Sequence, residues 1–360
     1  MKDEISTDGV LEGRDVLCFG HDWTGDPLSK THIMRLISQN NRVLWINSIG
    51  YRKVTATARD MRRIADKLKK FTERVREVEP NLFVLGPLAI PVYDSPLVTG
   101  SVVTGSLGED KIVYYCVDEF TAYSDAGTRG LVELEEKLLT RSDLVVVSAE
   151  SLKKSKQRPG NKVELVRHGV QFDHFRKALD ESTVVPAEIR DLPRPIIGYF
   201  GLMADDWIDV PLLSKIAQRF PQGSLVLLGK VTTAMSEVTR HPNVHLLGRK
   251  PFEDLPAYSK GFDVALNAFP INDVTLNANP LKVREYLASG LPVVSSKIPE
   301  VMVLEDLAYV AEDHDDFLSK LEIALKDPGP KRERSESMRG ESWAGRYEEL
   351  RRHLRRHGVC

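Results

Sequence analysis

Lys282 and Glu285 are the two residues of this 360-residue chain whose types and spacing say most about chemistry. Set three apart on a helix, an ammonium and a carboxylate project from one face of its first two turns. Pro280 stands where a first helical turn begins, because its fixed φ suits that place and its missing N–H would be unpaired anyway. Asn277 and Asn279 lie just ahead, and either is able to cap. The free amides of such a helix start, around Leu281 and Lys282, favour a phosphate. A carboxylate one turn deeper can accept hydrogen bonds from a ribose diol. Together these groups would hold a nucleoside diphosphate; the plainer alternative is an ordinary helix–strand unit of an α/β protein.

The surrounding elements would position that pair. Val283, Tyr286 and Leu287 have the apolar spacing of a helix packed on one side, Gly290 closes it, and 291–296 reads as a buried parallel strand. Strands are expected at 195–200, 224–228, 244–247, 264–267 and 292–294, with a helix from Asp209, whose carboxylate can cap and which has Pro211 in its first turn. Gly198 and Gly201 would allow close approach of backbone to a ligand. In the first half, strands are expected at 14–20, 42–47, 82–85, 111–117, 144–148 and 163–166, with a helix over 28–40. Strand and helix alternate in both halves, so the sheets should be mainly parallel. Trp343, Tyr347, Leu350 and Leu354 mark an amphipathic helix within 331–360.

The run from Pro280 to Val294, Pro-Leu-Lys-x-x-Glu-Tyr-Leu-Ala-x-Gly-x-Pro-Val-Val, resembles the donor-binding segment of GT-B glycosyltransferases. Within the large retaining sugar-nucleotide family it is most similar to the branch of teichuronic-acid and exopolysaccharide synthesis. The resemblance implies an α/β protein of two Rossmann-like domains facing across a cleft. Residues 1–177 would bind the acceptor, 178–194 would link, 195–335 would bind the nucleotide sugar, and 336–360 would form a helix returning to the first domain. It implies donor contacts from Lys282, Glu285, Asn277, Asn279, Pro280, Leu281 and Gly201, with Arg249 or Lys250 near the base and phosphates. It implies no metal and no cofactor, the nucleotide sugar being a substrate. Three departures stand out. Asn277 replaces the first Glu of the family's Glu-x7-Glu pair, the loop 203–209 lacks the Arg and Lys that hold the β-phosphate, and Gln171 replaces the Asp of the turn at 167–171.

Ligands of open parallel sheets sit outside the carboxyl ends of the strands. His21 and Asp22 follow the first strand and could line an acceptor pocket or form a solvated loop. Asp118, after the strand at 111–117, could act as a base, could bond a sugar hydroxyl or could cap the next segment. It is the first candidate base should the reaction invert, with Asp22 second. Glu135 and Glu136 read as helix-packing or solvated carboxylates. Asp313-His-Asp-Asp316 reads as a helix start rather than a metal site.

Bulk properties narrow the alternatives. A net charge of −2 supplies no global field for nucleic acid. Three cysteines without paired spacing, no apolar leader and no 18-residue apolar run lead to an expectation of a cytoplasmic protein. Residues 51–77 carry ten Lys/Arg against four Asp/Glu around a stripe of Met61, Ile64, Leu68, Phe71 and Val75. That is either a core-facing helix or a basic amphipathic surface for peripheral contact with an anionic membrane. The expected partners are a nucleotide-sugar donor and a glycan or lipid-linked acceptor. A non-hydrolysing sugar-nucleotide epimerase and a catalytically silent nucleotide binder remain as alternatives.

Overall fold

The computed structural model describes residues 11–47, 75–86, 104–122 and 128–360. In the second half, β8 (Ile196–Phe200), β9 (Ser224–Leu228), β10 (Val244–Gly248), β11 (Val264–Asn267), β12 (Val293–Ser296) and β13 (Tyr309–Ala311) form one sheet. Their order is β10-β9-β8-β11-β12-β13, and every pairing is parallel. Every residue of β8, β9, β11 and β12 is buried, as a sheet covered on both faces requires. One face packs on the helices Val210–Arg219 and His314–Lys326, the other on Leu255–Gly261 and Leu281–Ala288. Asp209 caps the first of these through the amide of Leu212 at 2.8 Å, and Asp313 caps His314–Lys326. Strand β13 is absent from the sequence-based expectation, because Tyr-Val-Ala is too short to stand out from its neighbours.

The first half is less regular. β1 (Asp15–Gly20), β2 (Arg42–Asn47), β3 (Arg76–Glu79) and β4 (Leu82–Leu85) pair in the order β1-β2-β4-β3. β5 (Val113–Cys116), β6 (Leu144–Val147) and β7 (Val163–Leu165) form a separate parallel sheet. One pairing departs from the parallel expectation: β3 and β4 are antiparallel. A tight turn at Pro80 and Asn81 joins them, with Asn81 in the left-handed region at φ 60°. Arg76 and Glu77, read from sequence as the end of a basic helical segment, are strand residues; most of that segment lies outside the described residues. Among the described residues no helix is long and apolar enough to cross a membrane.

The stretch 172–190 between the halves carries single helical turns at Phe172–Phe175 and Ala187–Arg190, with Phe175 and Ile189 in the second half's core. The terminal segment is two helices, Lys331–Ser337 and Trp343–Arg356, rather than one. Ser342 breaks it by capping the second helix through the amide of Gly345. Trp343, Tyr347, Leu350 and Leu354 pack beside Trp45, Ile33 and Val43 of the first half.

Candidate functional site

Chain order runs outward from β8 through β9 to β10 on one side of the six-stranded sheet, and from β11 through β12 to β13 on the other. The order therefore reverses between β8 and β11, and a crevice opens outside their carboxyl ends. The Leu281–Ala288 helix points its amino end into this region. Pro280 is its N-cap residue and offers no side-chain cap, so among the described residues no side chain takes the first-turn amides. The helix closes on Gly290 (φ 78°), whose amide bonds Leu287 O at 2.9 Å while that of Leu291 bonds Tyr286 O at 3.0 Å. The buried Tyr286 hydroxyl accepts from the amide of Phe200 at 2.7 Å, fastening the helix to the end of β8.

Lys282 reaches across the end of β8. Its Nζ donates to the Tyr199 hydroxyl at 2.8 Å and lies 4.3 Å from the Tyr199 ring centroid and 4.6 Å from that of Phe269. Gly201 makes room for it: a Cβ there would stand 2.8 Å from Nζ, at a φ of +141° that other residues rarely adopt. Gly229 permits the neighbouring close approach, since a Cβ would strike Gly201 O. Burial in this aromatic crevice brings the Lys282 ammonium down to about 7, the nearby Glu285 opposing the shift. Burial likewise raises Glu285 to about 7, against the pull of Lys282. Both charges are poorly solvated, and an anionic ligand would restore the ammonium.

Lys282, Glu285, Gly201 and the Leu281 amide thus meet at one place. Other candidates do not. Neither Asn277 nor Asn279 caps the helix: Asn277 bonds Asp273 O at 2.7 Å, and Asn279 bonds Ser148 O at 2.7 Å and Arg284 Nη1 at 2.8 Å. The Leu281 side chain packs against the first half's core, so only its amide can face a donor. Arg249 is joined to Asp26, and Lys250 to Glu188 at 2.6 Å; both cations offered as helpers already have carboxylate partners. Gly198 serves packing, since a Cβ there would meet the Phe262 ring at 2.1 Å.

In the first half, Asp22 Oδ1 accepts from the Thr24 amide at 3.1 Å and hydroxyl at 2.8 Å, shaping its own turn. The His21 ring stands edge-on to Trp45, with Nε2 3.4 Å from the Thr31 hydroxyl. Burial, helped by Lys30, holds that ring at about 4, so it is neutral near pH 7. Asp118 follows β5 at its carboxyl end, and its backbone oxygen lies 3.3 Å from Cys116 Sγ. Its neighbour Glu119 turns into the protein, bonding Lys156 Nζ at 2.7 Å, and Glu135 shares that ammonium at 2.9 Å. Glu135 is thus an ion-pair member in the packing of its helix. Two residues at the site escaped the sequence reading. Tyr199 and Phe269, which form the seat of Lys282, sit within apolar strand-like runs that carry no chemical signature.

Residues 194–327 match the family model described as glycosyl transferases group 1. Over 270 residues the chain is 24% identical to TuaH of Bacillus subtilis (strain 168), provisionally described as a teichuronic acid biosynthesis glycosyltransferase. The alignment covers 69% of this chain and 63% of TuaH, so the chain spans less than two thirds of that relative. Among solved structures, sucrose-phosphate synthase of Thermosynechococcus elongatus superposes with a TM-score of 0.66 at 14% identity, covering 97% of this chain and 99% of the other. Anabaena HepE in complex with UDP and glucose gives 0.61 at 14% identity, covering 95% and 99%. The E. coli trehalose-6-phosphate structure bound with UDP-2-fluoro glucose gives 0.65 at 11% identity, with the same coverage. The chain therefore has the GT-B fold of these structures, and residues 194–327 carry a domain of the glycosyl transferases group 1 type.

Proposed function

We propose that this chain transfers a sugar from a UDP- or GDP-sugar to a glycan or lipid-linked acceptor in cell-surface polysaccharide synthesis, with retention and without a metal. The observation that carries the donor half of this reading is the uncapped Leu281 turn with Lys282 beside it at the switch point of the sheet. A diphosphate at that turn would meet several amides and one ammonium, and Glu285 one turn deeper would take the ribose hydroxyls. Negative charge builds on the departing diphosphate as the glycosidic bond breaks. Donors already aimed there stabilise the transition state more than the ground state. With no Arg and Lys in the loop 203–209, Lys282 carries this task largely with backbone amides. Proposed acceptor groups are Asp118, Asp22 and His21, at the carboxyl ends of β5 and β1; the polysaccharide role rests on the similarity to TuaH.

A thermal-shift panel of UDP, GDP, ADP and dTDP tests the donor reading. A ligand that binds the native state raises the melting temperature by mass action. UDP or GDP should protect the protein, and at equal ligand concentration protection should shrink in Lys282→Met; a panel without protection from any nucleotide would overturn the reading.

A further inference from the structure

Several of the buried polar contacts that join the two halves meet at one side chain. Asn279 immediately precedes the phosphate-receiving turn, and its amide is used on both sides. Nδ2 donates to Ser148 O at 2.7 Å, just past the end of β6, while Oδ1 accepts from Arg284 Nη1 at 2.8 Å. Its backbone oxygen accepts from His168 Nδ1 at 2.9 Å. All four residues are buried, Arg284 being 1% exposed. Arg284 continues the chain of bonds, its Nε donating to Glu341 Oε2 at 3.0 Å, and Arg346 bonds the same carboxylate. The terminal crossover segment is thereby included. A second tie lies alongside. Glu300, 2% exposed, accepts from the Glu150 amide and from Arg167 Nε, each at 2.7 Å. Apolar contact adds a third, through Leu281.

We propose that Asn279 is a positioning residue for the transfer: through Ser148 and Arg284 it sets the donor-phosphate turn at a fixed place and angle against the acceptor half. The inference rests on the reading that the Leu281 turn receives a diphosphate. Its physical basis is the cost of leaving buried polar groups unmet. Without the Asn279 amide, Ser148 O loses its partner and the buried Arg284 guanidinium, whose Nη2 already has none, loses another. The interface then has no single best register. Transfer demands reacting atoms held about 3–3.5 Å apart, so a shift of about 1 Å between halves can cost about a hundredfold in rate. The Asn279 amide is engaged through both its nitrogen and its oxygen within the interface.

The experiment measures the distance between the halves alongside nucleotide affinity. Spin labels go on the exposed positions Lys137→Cys and Gln222→Cys in a Cys360→Ser background. Burial pushes the thiols of Cys18 and Cys116 up to about 12, which disfavours the reactive thiolate. Pulsed electron paramagnetic resonance is recorded with and without saturating UDP or GDP, whichever the thermal-shift panel selects. The parent should give one narrow distance distribution. Asn279→Ala should broaden or shift it while the Kd for that nucleotide stays within about threefold of the parent, because the Leu281 amides and Lys282 remain. An unchanged distribution overturns the proposal. A Kd weakened tenfold or more with the distribution unchanged makes Asn279 a donor ligand instead, which also overturns it. Should Asn279→Ala fail to fold, Asn279→Asp keeps the size and the acceptor for Arg284 while removing the donor to Ser148 O, and the same outcomes are read. If the parent binds no nucleotide, the donor reading fails by itself, and the distance comparison still decides whether Asn279 sets the halves.

Discussion

The two banks of the cleft handle their polar groups in opposite ways. On the second half's bank, a half-buried ammonium and a half-buried carboxylate sit at an uncapped helix start, each displaced toward neutrality by desolvation. On the first half's bank, the candidate groups have local work: Asp22 shapes its own turn, and His21 stands edge-on to Trp45. One side holds unmet capacity for an anion. The other is polar but locally satisfied, as a surface would be that takes a neutral, hydroxyl-rich acceptor by exchanging bonds. The difference teaches that the donor bank is the more strongly prepared.

The largest effect that could sharpen this contrast is acid sensitivity. His32 and His168, both in the first half, are held at about 3 and about 4, mainly by burial. They are neutral when folded, and the unfolded chain takes protons up below about 6.5, the ordinary histidine value. Stability is therefore full above about pH 6.5 and falls as pH drops toward 4, by up to about 1.4 kcal/mol per pH unit for each ring. Chemical denaturation at pH 7, 6 and 5 should show the decline, and His32→Gln should flatten it. A pH-independent midpoint would break the assignment of these rings as buried and neutral.

Next in size is Lys282. Replacing it with Met removes a charge that burial disfavours and keeps apolar contact with Tyr199 and Phe269, so the nucleotide-free protein should melt no lower. Nucleotide affinity should fall by about 1.5–3 kcal/mol, the range for hydrogen bonds to charged groups. Calorimetry with UDP or GDP reads this directly. Asp22→Asn and Asp118→Asn should change that affinity less than twofold; an equal loss in all three would erase the contrast between the banks.

The same lysine predicts a pH profile. Above pH 7 the ligand-free amine is neutral, so binding a diphosphate must draw a proton onto it. Affinity should weaken by up to tenfold per pH unit above about 7 and level off below, with proton uptake visible as a buffer-dependent binding enthalpy. Lys282→Met should lack that uptake. The smallest effect belongs to the exposed Arg249–Asp26 pair across the cleft, which should contribute no more than about 1 kcal/mol. Arg249→Ala should change the melting temperature by a few degrees at most, whereas Asn279→Ala, at the buried side of the same interface, should lower it clearly.

Much of the second half was legible because buried parallel strands and one-sided helices carry strong apolar signals. The strands at 224–228 and 264–267, the Asp209 cap, the helix start at 313–316 and the Gly290 closure appear where local patterns put them. The first half was less so. β3 is a polar Arg-Glu-Val-Glu strand made by a hairpin partner, and its residues have no strand-like apolar alternation. Capping is a local role, and the sequence offers either Asn277 or Asn279 for it. Asn279 instead bonds a residue 131 positions away, which no window of sequence contains.

Local chemistry by itself determined the helix that offers its amides, the ammonium beside them and the carboxylate three residues on. Backbone preference and side-chain type act over a few residues, and those are written in order along the chain. Only the tertiary structure decided that Tyr199 and Phe269 would seat Lys282, that Arg249 would be taken by Asp26, and that Asn279 would look backward to Ser148. Burial and partner choice depend on which distant segments fold against one another, and desolvation, which sets the charge of Lys282, exists only once they have done so.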